Sequence, residues 1–276
     1  LSFQNSSGRE ILFVSRLAKL DGSKAVRGGI PLVFPQFGKA LDASMPQHGF
    51  LRNHTWTPTA SSSPSSQDFT LSLKNVTEAR GTEKWELGKS DLECTATFRV
   101  TVGPDTLTTE LIIENTGETS AFDFQTLFHT YYKIHGSKAL DPTICNVTGL
   151  GGYHVDDKIT DETYVQSNES PIIVDREVDR IYTPSQDEGP TELNVTVATG
   201  EGGGKVQVKA YGTVDGVTVP MSVVVWNPFI EKAKGMGDFG DDQYHDMICV
   251  EPGLLSNVPP LQTKKTAKFT QIITSL

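Results

Sequence analysis

The stretch Cys94-Thr95-Ala96-Thr97-Phe98-Arg99-Val100-Thr101-Val102 carries apolar residues at its even positions and polar residues at its odd positions. The turn sequence Gly103-Pro104-Asp105 follows, and Leu107 through Ile113 resumes the alternation with apolar residues at odd positions. An alternation of period two on both sides of a Gly-Pro turn is typical of a β-hairpin with one buried face. We therefore predict an antiparallel hairpin here and a β fold around it.

Segments of the same character recur on both sides of the hairpin, and they are rich in β-branched residues and threonine. The further predicted strands are Ile11–Val14, Asp68–Leu73, Phe122–Ile134, Glu192–Ala198, Lys205–Ala210, Met221–Trp226, Met247–Glu251 and Ala267–Thr274. No amphipathic helix longer than two turns can be traced in the sequence. The pattern predicts an all-β fold, a large antiparallel β-sandwich. All-β sandwiches of this length commonly form one unit, so we expect residues 1–276 to be a single domain.

The composition argues against several classes of protein. The formal net charge is −10, whereas nucleic-acid-binding domains present a basic face, so we expect no nucleic-acid partner. No run of about 18 apolar residues occurs, so we expect no membrane span. The three cysteines, Cys94, Cys145 and Cys249, are widely spaced, which favours reduced thiols and a cytoplasmic location. An anionic substrate would need a locally positive pocket in this acidic chain.

Polar and aromatic side chains are dense between Met45 and Trp56. The core of this stretch, Pro46-Gln47-His48-Gly49-Phe50-Leu51-Arg52-Asn53-His54, contains two imidazoles, two amides and a guanidinium. So many distinct donors and acceptors need partners, either within the protein or in a ligand. The stretch is therefore either an internally satisfied turn that enters a strand or part of a binding site.

The segment Arg27-Gly28-Gly29-Ile30-Pro31 is a second candidate for ligand binding. Paired glycines allow a backbone to approach a ligand closely, and arginine binds anions through two N–H groups. A surface ion pair beside a turn explains the same residues equally well. The segment is not a phosphate-binding P-loop, because no Gly-Lys-Ser/Thr sequence follows it.

The predicted strand Phe122–Ile134 separates two kinds of side chain. Its phenylalanines, Phe122, Phe124 and Phe128, fall on one face, and the polar set Gln125, His129 and Tyr131 falls on the other. The polar face lines either a concave surface or solvent. A lone histidine is more often structural than catalytic, so His129 is a candidate that needs further support.

Two acidic features occur towards the C-terminus. The run Asp238–Asp246 holds four aspartates, but an EF-hand requires a glutamate at its twelfth position, where this sequence has Cys249. We interpret the run as a solvated acidic loop. The apolar strand Met247–Glu251 then ends in a carboxylate before Pro252-Gly253. A carboxylate at the end of a buried strand costs solvation free energy and usually needs a reason.

Six motifs stand in a familiar order: Arg27-Gly28-Gly29-Ile30-Pro31, Pro46-Gln47-His48-Gly49-Phe50-Leu51-Arg52, Phe128-His129-Thr130-Tyr131, Val178-Asp179-Arg180-Ile181-Tyr182, Trp226-Asn227-Pro228 and Val250-Glu251-Pro252-Gly253. In combination they closely resemble the glucose-6-phosphate 1-epimerases, which are hexose-6-phosphate mutarotases within the aldose 1-epimerase superfamily. The resemblance runs from about Phe13 to Ile273. It implies a galactose mutarotase-like β-supersandwich and a small-molecule sugar phosphate as the substrate, with neither a cofactor nor a metal.

The resemblance also implies roles for individual residues. The family's catalytic histidine and glutamate fall on His129 and Glu251. The substrate-binding positions fall on Arg27, Gln47, Arg52 and Asp179, with Asp175 as a nearby alternative for the aspartate, and His48 is expected to bind sugar hydroxyls or to steady the catalytic pair.

Anomer interconversion requires deprotonation of the C1 hydroxyl, protonation of the ring oxygen and rotation about C1–C2 in the open aldehyde. We expect Glu251 to act as the base and a charged His129 as the acid, on opposite sides of the C1–O5 unit. Arg27 and Arg52 are expected to hold the 6-phosphate, and we expect a monomer. Two alternatives stay open: a 1-epimerase of unphosphorylated aldoses, and a non-catalytic carbohydrate-binding protein on the same fold.

Overall fold

The protein folds into two antiparallel β-sheets. The computed structural model describes residues 2–39, 46–61, 63–72, 93–185, 190–200 and 204–276. Within these ranges, eight strands form one sheet and nine form the other, and the helical residues are few. The all-β, antiparallel architecture predicted from the sequence is confirmed. No helix among the described residues is long and apolar enough to cross a membrane.

The first sheet carries the strands that position the candidate site. Its strands are β1 (Leu32–Val33), β6 (Thr126–Phe128), β7 (Tyr131–Lys133), β9 (His154–Asp157), β10 (Glu162–Val165), β11 (Val178–Thr183), β15 (Ser222–Asn227) and β16 (Met247–Leu254). The strand order is β1-β6-β16-β15-β11-β9-β10, and β7 also pairs with β16. All eight residues of β16 are buried, as expected for a central strand that is covered on both faces.

The second sheet contains the hairpin that the sequence predicted. Its strands are β2 (Thr57–Thr59), β3 (Ser66–Ser72), β4 (Cys94–Val102), β5 (Thr106–Asn115), β8 (Cys145–Thr148), β12 (Glu192–Gly200), β13 (Gly204–Val214), β14 (Val217–Val219) and β17 (Thr266–Ser275). The order is β2-β3-β4-β5-β17-β13-β12-β8, and β14 pairs with β13. Strand β4 has the predicted bounds, and it pairs with β5 from Cys94 opposite Asn115 to Val102 opposite Leu107.

Short helices join some of these strands. Helix α1 covers Phe229–Lys234, and 3-10 helices cover Leu51–Asn53 and Gln243–Asp246. Segment Ile11–Val14, predicted as a strand, makes only isolated bridges, such as Leu12 with Tyr132. Residue Leu73, the predicted end of another strand, lies outside the described residues.

The inner faces of the two sheets pack against each other to form the main core. Val223 and Val225 of β15 and Val250 of β16 belong to this core, together with residues of the second sheet. The rings of Phe128 on β6 and Phe269 on β17 stack across the interface with their centroids 4.4 Å apart. Because side chains alternate along a strand, the intervening residues of β15 and β16 point away from this core.

The predicted strand Phe122–Ile134 is interrupted at His129. The Thr130 N–H donates to the Phe128 carbonyl at 2.8 Å, and this tight turn ends β6 before β7 begins. A continuous strand was therefore a wrong prediction, but its side-chain separation is confirmed: the phenylalanines enter the core, and His129 points elsewhere. The pairing of β16 with Leu127 and with Tyr131 keeps one register across the interruption, so Glu251 lies directly opposite His129.

The stretch Pro46–Arg52 folds as a tight turn against β1. His48 and Gly49 both adopt left-handed backbone angles, with φ of 64° and 70°. A Cβ atom added to Gly49 would lie 1.9 Å from the Phe34 carbonyl oxygen, and the Phe50 N–H donates to that oxygen at 3.0 Å. Glycine is therefore required at 49, and the close contact fixes the direction in which His48 projects.

We predict that Gly49→Ala destabilises the fold more than a matched change at Gly22. Gly22 has a similar φ of +78°, but open space surrounds its missing side chain, so Gly22→Ala measures only the backbone strain of about 1–2 kcal/mol. Gly49→Ala adds a collision with backbone, which we expect to cost about 1–3 kcal/mol more. Urea unfolding of both variants gives the comparison, and equal losses of stability would contradict the packing described for Gly49.

Candidate active site

A cavity of about 780 Å³ opens on the outer face of the first sheet. All seven site residues predicted from the sequence line it: Arg27, Gln47, His48, Arg52, His129, Asp179 and Glu251. They come from segments far apart in the chain, and the sheet brings them together. Asp175, the alternative to Asp179, has a side chain that is 55% exposed and does not line this cavity.

Neighbouring strands supply the floor of the cavity through their register. Glu251 on β16 lies opposite Val224 on β15, and Val224 lies opposite Ile181 on β11. Trp226 lies opposite Asp179 in the same way. Directly paired residues of antiparallel strands project to the same face, so all five side chains point into the cavity.

His129 and Glu251 form a close, buried pair on this floor. The Nδ1 atom of His129 lies 3.2 Å from Oε1 of Glu251, and the two side chains are 10% and 1% exposed. Neither His129 Nδ1 nor Glu251 Oε2 has a hydrogen-bond partner among the described residues. Buried polar atoms of proteins are nearly always hydrogen-bonded, so these two atoms at the floor of a cavity are available to a ligand or to water that enters it.

Burial moves both members of the pair towards their neutral forms. It raises the pKa of Glu251 well above its ordinary value, and the nearby Asp179 carboxylate adds to the effect. It lowers the pKa of His129 well below its ordinary value, with a further contribution from the charges of Arg52 and Arg27. The ligand-free site therefore favours a neutral imidazole beside a protonated carboxyl group, and not the charged His129 expected from the sequence.

The ring of His129 is held by aromatic neighbours. It stacks on Tyr131 with centroids 4.8 Å apart and planes inclined by 9°, and it meets His48 and Trp226 edge to face. Its backbone N–H donates to the Pro31 carbonyl at 3.0 Å, which ties the strand interruption to the Arg27–Pro31 segment. These contacts restrict the imidazole to one orientation before any ligand binds.

His48 serves as a neutral polar group at the wall. Its Nδ1 accepts a hydrogen bond from the Gly38 N–H at 3.1 Å, so the proton of the neutral ring is on Nε2. Burial lowers its pKa to about 3, assisted by the charges of Arg52 and Arg27. His48 therefore stays uncharged at neutral pH and offers a hydrogen-bond donor.

Arg27 and Arg52 line the same cavity as the His129–Glu251 pair, and each uses only some of its N–H groups in hydrogen bonds within the protein. Arg52 donates through Nη2 to the Gln47 carbonyl at 2.7 Å, and its Nε has no partner among the described residues. Arg27 donates through Nη1 to the Tyr131 hydroxyl at 3.2 Å. Each guanidinium has five N–H groups, so both can still bind an anion.

The sequence matches the aldose 1-epimerase family over residues 1–267. The chain belongs to the aldose 1-epimerase family. A Cenchrus ciliaris protein is 30% identical over 260 residues, which cover 91% of this chain and 70% of the relative. An Escherichia coli K12 protein is 29% identical over 277 residues, which cover 99% of this chain and 82% of the relative. Both relatives carry the provisional name glucose-6-phosphate 1-epimerase.

Solved structures confirm the galactose mutarotase-like fold. A crystal structure from Salmonella typhimurium, described provisionally as a mutarotase, superposes with a TM-score of 0.73 at 23% identity. It matches 100% of this chain and 83% of that structure. A galactose mutarotase-like protein from Lactobacillus casei superposes with a TM-score of 0.61 at 16% identity, over 100% of this chain and 92% of that structure. The family match over residues 1–267, and not these structures, shows the activity, which is that of an epimerase, or mutarotase, of sugars.

Asp238 does not line the cavity, but it is buried against Arg27, which does, although the sequence suggested a solvated loop. Its side chain is 4% exposed and lies 2.9 Å from Lys24 Nζ and 3.4 Å from Arg27 Nε. The interpretation of a solvated acidic loop was therefore wrong for Asp238, which is buried against two cations. Both cations are more than 200 positions away in the sequence, so no local pattern indicated them. Burial acts to raise the pKa of Asp238, but Lys24 and Arg27 outweigh it and hold the pKa below 3.8.

Gly28, the first of the two glycines after Arg27, also acts differently from the prediction. A Cβ atom on Gly28 would lie 2.5 Å from the Phe13 carbonyl oxygen and 2.5 Å from the Val14 Cα. The close approach that Gly28 permits is therefore to the neighbouring Phe13–Val14 backbone and not to a ligand. The contact anchors the segment that presents Arg27, since the Ser15 N–H donates to the Arg27 carbonyl at 2.9 Å.

Three lysines at the cavity were missed by the sequence analysis: Lys39, Lys158 and Lys232. With Arg27 and Arg52 they give five basic residues against the acidic Asp179 and Glu251 among the described residues that line the cavity. Lys158 pairs with Asp156, and Lys232 lies 3.5 Å from Glu177. The cavity wall is thus locally basic in a chain of net charge −10.

Asn227 explains how the Trp226-Asn227-Pro228 motif shapes one wall. Its fully buried amide donates to the Tyr244 and Met247 carbonyls at 2.9 and 2.8 Å, and its Oδ1 accepts from the Phe229 N–H at 2.8 Å. These bonds fix the exit of β15 into α1, which delivers Lys232 to the cavity. Asn227 therefore has a structural role in this motif.

We predict that Asp238→Asn destabilises the protein at pH 7 by about 1–2 kcal/mol, because a buried charge-assisted contact is lost. A depressed folded pKa contributes stability that is present above the unfolded value of 3.8 and disappears as the pH falls through the folded value. The gap between wild type and variant should therefore close below about pH 4. Urea unfolding between pH 3 and pH 8 tests this, with Asp241→Asn in the same loop as the exposed control. A gap that stays constant with pH would contradict the ion-pair account.

Proposed function

We propose that the chain interconverts the α and β anomers of a hexose 6-phosphate, with glucose 6-phosphate as the preferred substrate. The observation that carries this proposal is the buried, unsatisfied His129–Glu251 pair on the floor of a locally basic cavity. The provisional names of the Cenchrus ciliaris and Escherichia coli relatives support the choice of the phosphorylated sugar.

The pair can move two protons without a redox change. Ring opening transfers the proton of the C1 hydroxyl to Glu251, turns C1–O1 into a carbonyl, breaks C1–O5 and delivers a proton from His129 to O5. Rotation about C1–C2 followed by the reverse transfers gives the other anomer. We expected the two groups on opposite sides of the C1–O5 unit, but they are neighbours. Since O1 and O5 are bonded to the same carbon, adjacent groups can reach both.

The pair holds one proton throughout this cycle. In the cyclic-sugar state the proton is on His129, and in the open-chain state Glu251 holds a proton and His129 is neutral. The ligand-free pKa directions favour that neutral arrangement. Hydrogen bonds from sugar hydroxyls to Glu251 and a nearby anionic phosphate would oppose the effects of burial and favour the charged pair when substrate binds. The titration then belongs to the pair and not to either residue alone.

The remaining predicted residues act in binding. Arg27 and Arg52 are proposed to hold the 6-phosphate, because their unused N–H groups fit its oxygens. Gln47, His48 and Asp179 are proposed to bind sugar hydroxyls. Trp226 provides an apolar ring beside them, which suits the C–H face of a hexose.

A second candidate is a 1-epimerase of unphosphorylated aldoses. The Asp238 carboxylate and the Tyr131 hydroxyl already satisfy part of Arg27, which favours a structural role for this arginine. A carbohydrate-binding protein without activity explains the site less well, because it has no need of a buried imidazole–carboxylate pair.

We predict that Glu251→Gln lowers kcat for anomerisation by a factor on the order of 10² or more, with sugar binding retained. Glutamine keeps the shape of the side chain but cannot accept the proton of the C1 hydroxyl. Polarimetry of fresh α-glucose 6-phosphate measures the rate, and calorimetric titration measures binding. Asp175→Asn, which changes an exposed carboxylate outside the cavity, is the matched control. Turnover near that of wild type in Glu251→Gln would remove Glu251 from the mechanism.

We predict that Arg52→Ala lowers kcat/KM for glucose 6-phosphate roughly tenfold to a hundredfold. A hydrogen bond to a charged group contributes about 1.5–3 kcal/mol, and each 1.4 kcal/mol is a factor of ten. Activity on free glucose should change little, because that sugar has no phosphate to lose. Arg16→Ala, at an exposed ion pair outside the cavity, serves as the control. If the wild-type enzyme has a higher kcat/KM for free glucose or galactose than for glucose 6-phosphate, the second candidate, a 1-epimerase of unphosphorylated aldoses, would be supported instead.

A further inference from the structure

Cys249 lies beside the catalytic pair, and the proposed proton transfers do not use it. It precedes Glu251 by two residues on β16, so both side chains project to the same face of the sheet. In register it is paired with Tyr131 on one side and with Trp226 on the other. Its side chain is a free thiol and is fully buried.

The three side chains His129, Cys249 and Glu251 form a compact set of potential metal ligands. The nearest ligand atoms, one imidazole nitrogen, the Sγ atom and one carboxylate oxygen, all lie within 4.8 Å of one another. Zinc binds nitrogen and oxygen at about 2.0–2.2 Å and sulfur at about 2.3 Å, so the edges of its tetrahedron are about 3.4–3.6 Å long. The distance of 3.2 Å between Nδ1 and Oε1 is close to such an edge.

A second observation indicates that this cluster can accept a ligand. The Nδ1 of His129 and the Oε2 of Glu251 are buried atoms without a hydrogen-bond partner among the described residues, and the two residues are 8% and 1% exposed. An imidazole nitrogen of His129 and a carboxylate oxygen of Glu251 lie within 4.8 Å of the Cys249 sulfur. Rotation of the cysteine side chain therefore has to close a gap of at most about 1.2–1.4 Å to reach tetrahedral distances.

We propose that His129, Cys249 and Glu251 form a binding site for a thiophilic divalent cation, with Zn²⁺ as the best match, and that the bound ion inhibits the enzyme. One nitrogen, one sulfur and one oxygen ligand suit zinc, whereas calcium and magnesium prefer oxygen ligands alone. The thiol proton of Cys249 and the carboxyl proton of Glu251 are both released to solvent as the zinc–sulfur and zinc–oxygen bonds form. His129 and Glu251 line the cavity, so water from the cavity can fill the fourth position.

Inhibition follows from the shared ligands. A metal bound to the His129 nitrogen and the Glu251 carboxylate occupies groups that are needed to move protons at C1. Sugar turnover and metal binding are therefore mutually exclusive, and the ion is an inhibitor and not a cofactor. The same three residues would let thiophilic cations shut down anomerisation reversibly.

Cobalt spectroscopy tests the site without any sugar. Titration of the wild-type protein with Co²⁺ should produce a thiolate-to-cobalt charge-transfer band in the near ultraviolet, and Zn²⁺ should displace it. Cys249→Ser should lose the band and weaken Zn²⁺ binding at least about tenfold. Loss of a residue that only hydrogen-bonds to a metal ligand already lowers metal affinity by about 10–100-fold, and Cys249 is proposed as a ligand itself. Cys249→Ala repeats the test in case the buried serine hydroxyl perturbs folding. Cys145→Ser removes a buried thiol from the second sheet and should leave the band unchanged.

Inhibition supplies the second arm of the experiment. Zn²⁺ should slow anomerisation by the wild-type enzyme, a chelator should restore it, and both Cys249 variants should stay active with at least about tenfold lower zinc sensitivity. Absence of the cobalt band in wild type, its persistence in both variants, or equal zinc sensitivity of all proteins would overturn the proposal. The cobalt arm does not depend on the proposed sugar substrate, so its failure is distinguishable from failure of the proposed function.

Discussion

The antiparallel register of β16 against β6 and β7 is the constraint on which the candidate site depends. It sets Glu251 opposite His129, and the interruption of the neighbouring strand turns the imidazole towards the carboxylate without changing the register. A slip of one residue would place Glu251 in the apolar core between the sheets. The hydrophobic pattern of the buried central strand therefore also specifies the chemistry, because the register that buries Val250 presents Glu251 to the cavity.

Burial of the His129–Glu251 pair disfavours the charged forms of both groups, and a nearby charged side chain partly opposes this effect for Glu251. Removing an imidazole and a carboxyl group from water favours their neutral forms, which is the direction found for both. The charge of Arg52 opposes the effect of burial on Glu251, because it acts to lower the pKa of a carboxyl group that burial raises. Asp238 in turn compensates Arg27 and Lys24 from behind. The His129–Glu251 pair thus shares its cavity with two arginines, and the carboxylate of Asp238 lies behind Arg27. The wall of the cavity is basic although the net charge of the chain is negative.

The sequence predicted the fold class because alternation of period two is a local signal, and β4 has the bounds that this pattern indicates. The resemblance of six motifs to a known family also identified the seven cavity residues, because motifs such as Pro46–Arg52 can be recognised without knowledge of the fold. The sequence could not identify Asp238, because the ion pairs that bury this residue join distant segments. The lysines at the cavity, such as Lys39, had no pattern to distinguish them from surface lysines. The interruption at His129 depends on a turn that no glycine or proline marks.

Optical rotation of freshly dissolved α-glucose 6-phosphate tests the central claim most directly. The claim is that the His129–Glu251 pair, held by the β16 register, opens and closes the ring of a hexose 6-phosphate. The account predicts that catalytic amounts of the protein accelerate the approach to anomeric equilibrium well beyond the spontaneous rate, without metal or cofactor added. A rotation that decays at the same rate with and without the protein would contradict it.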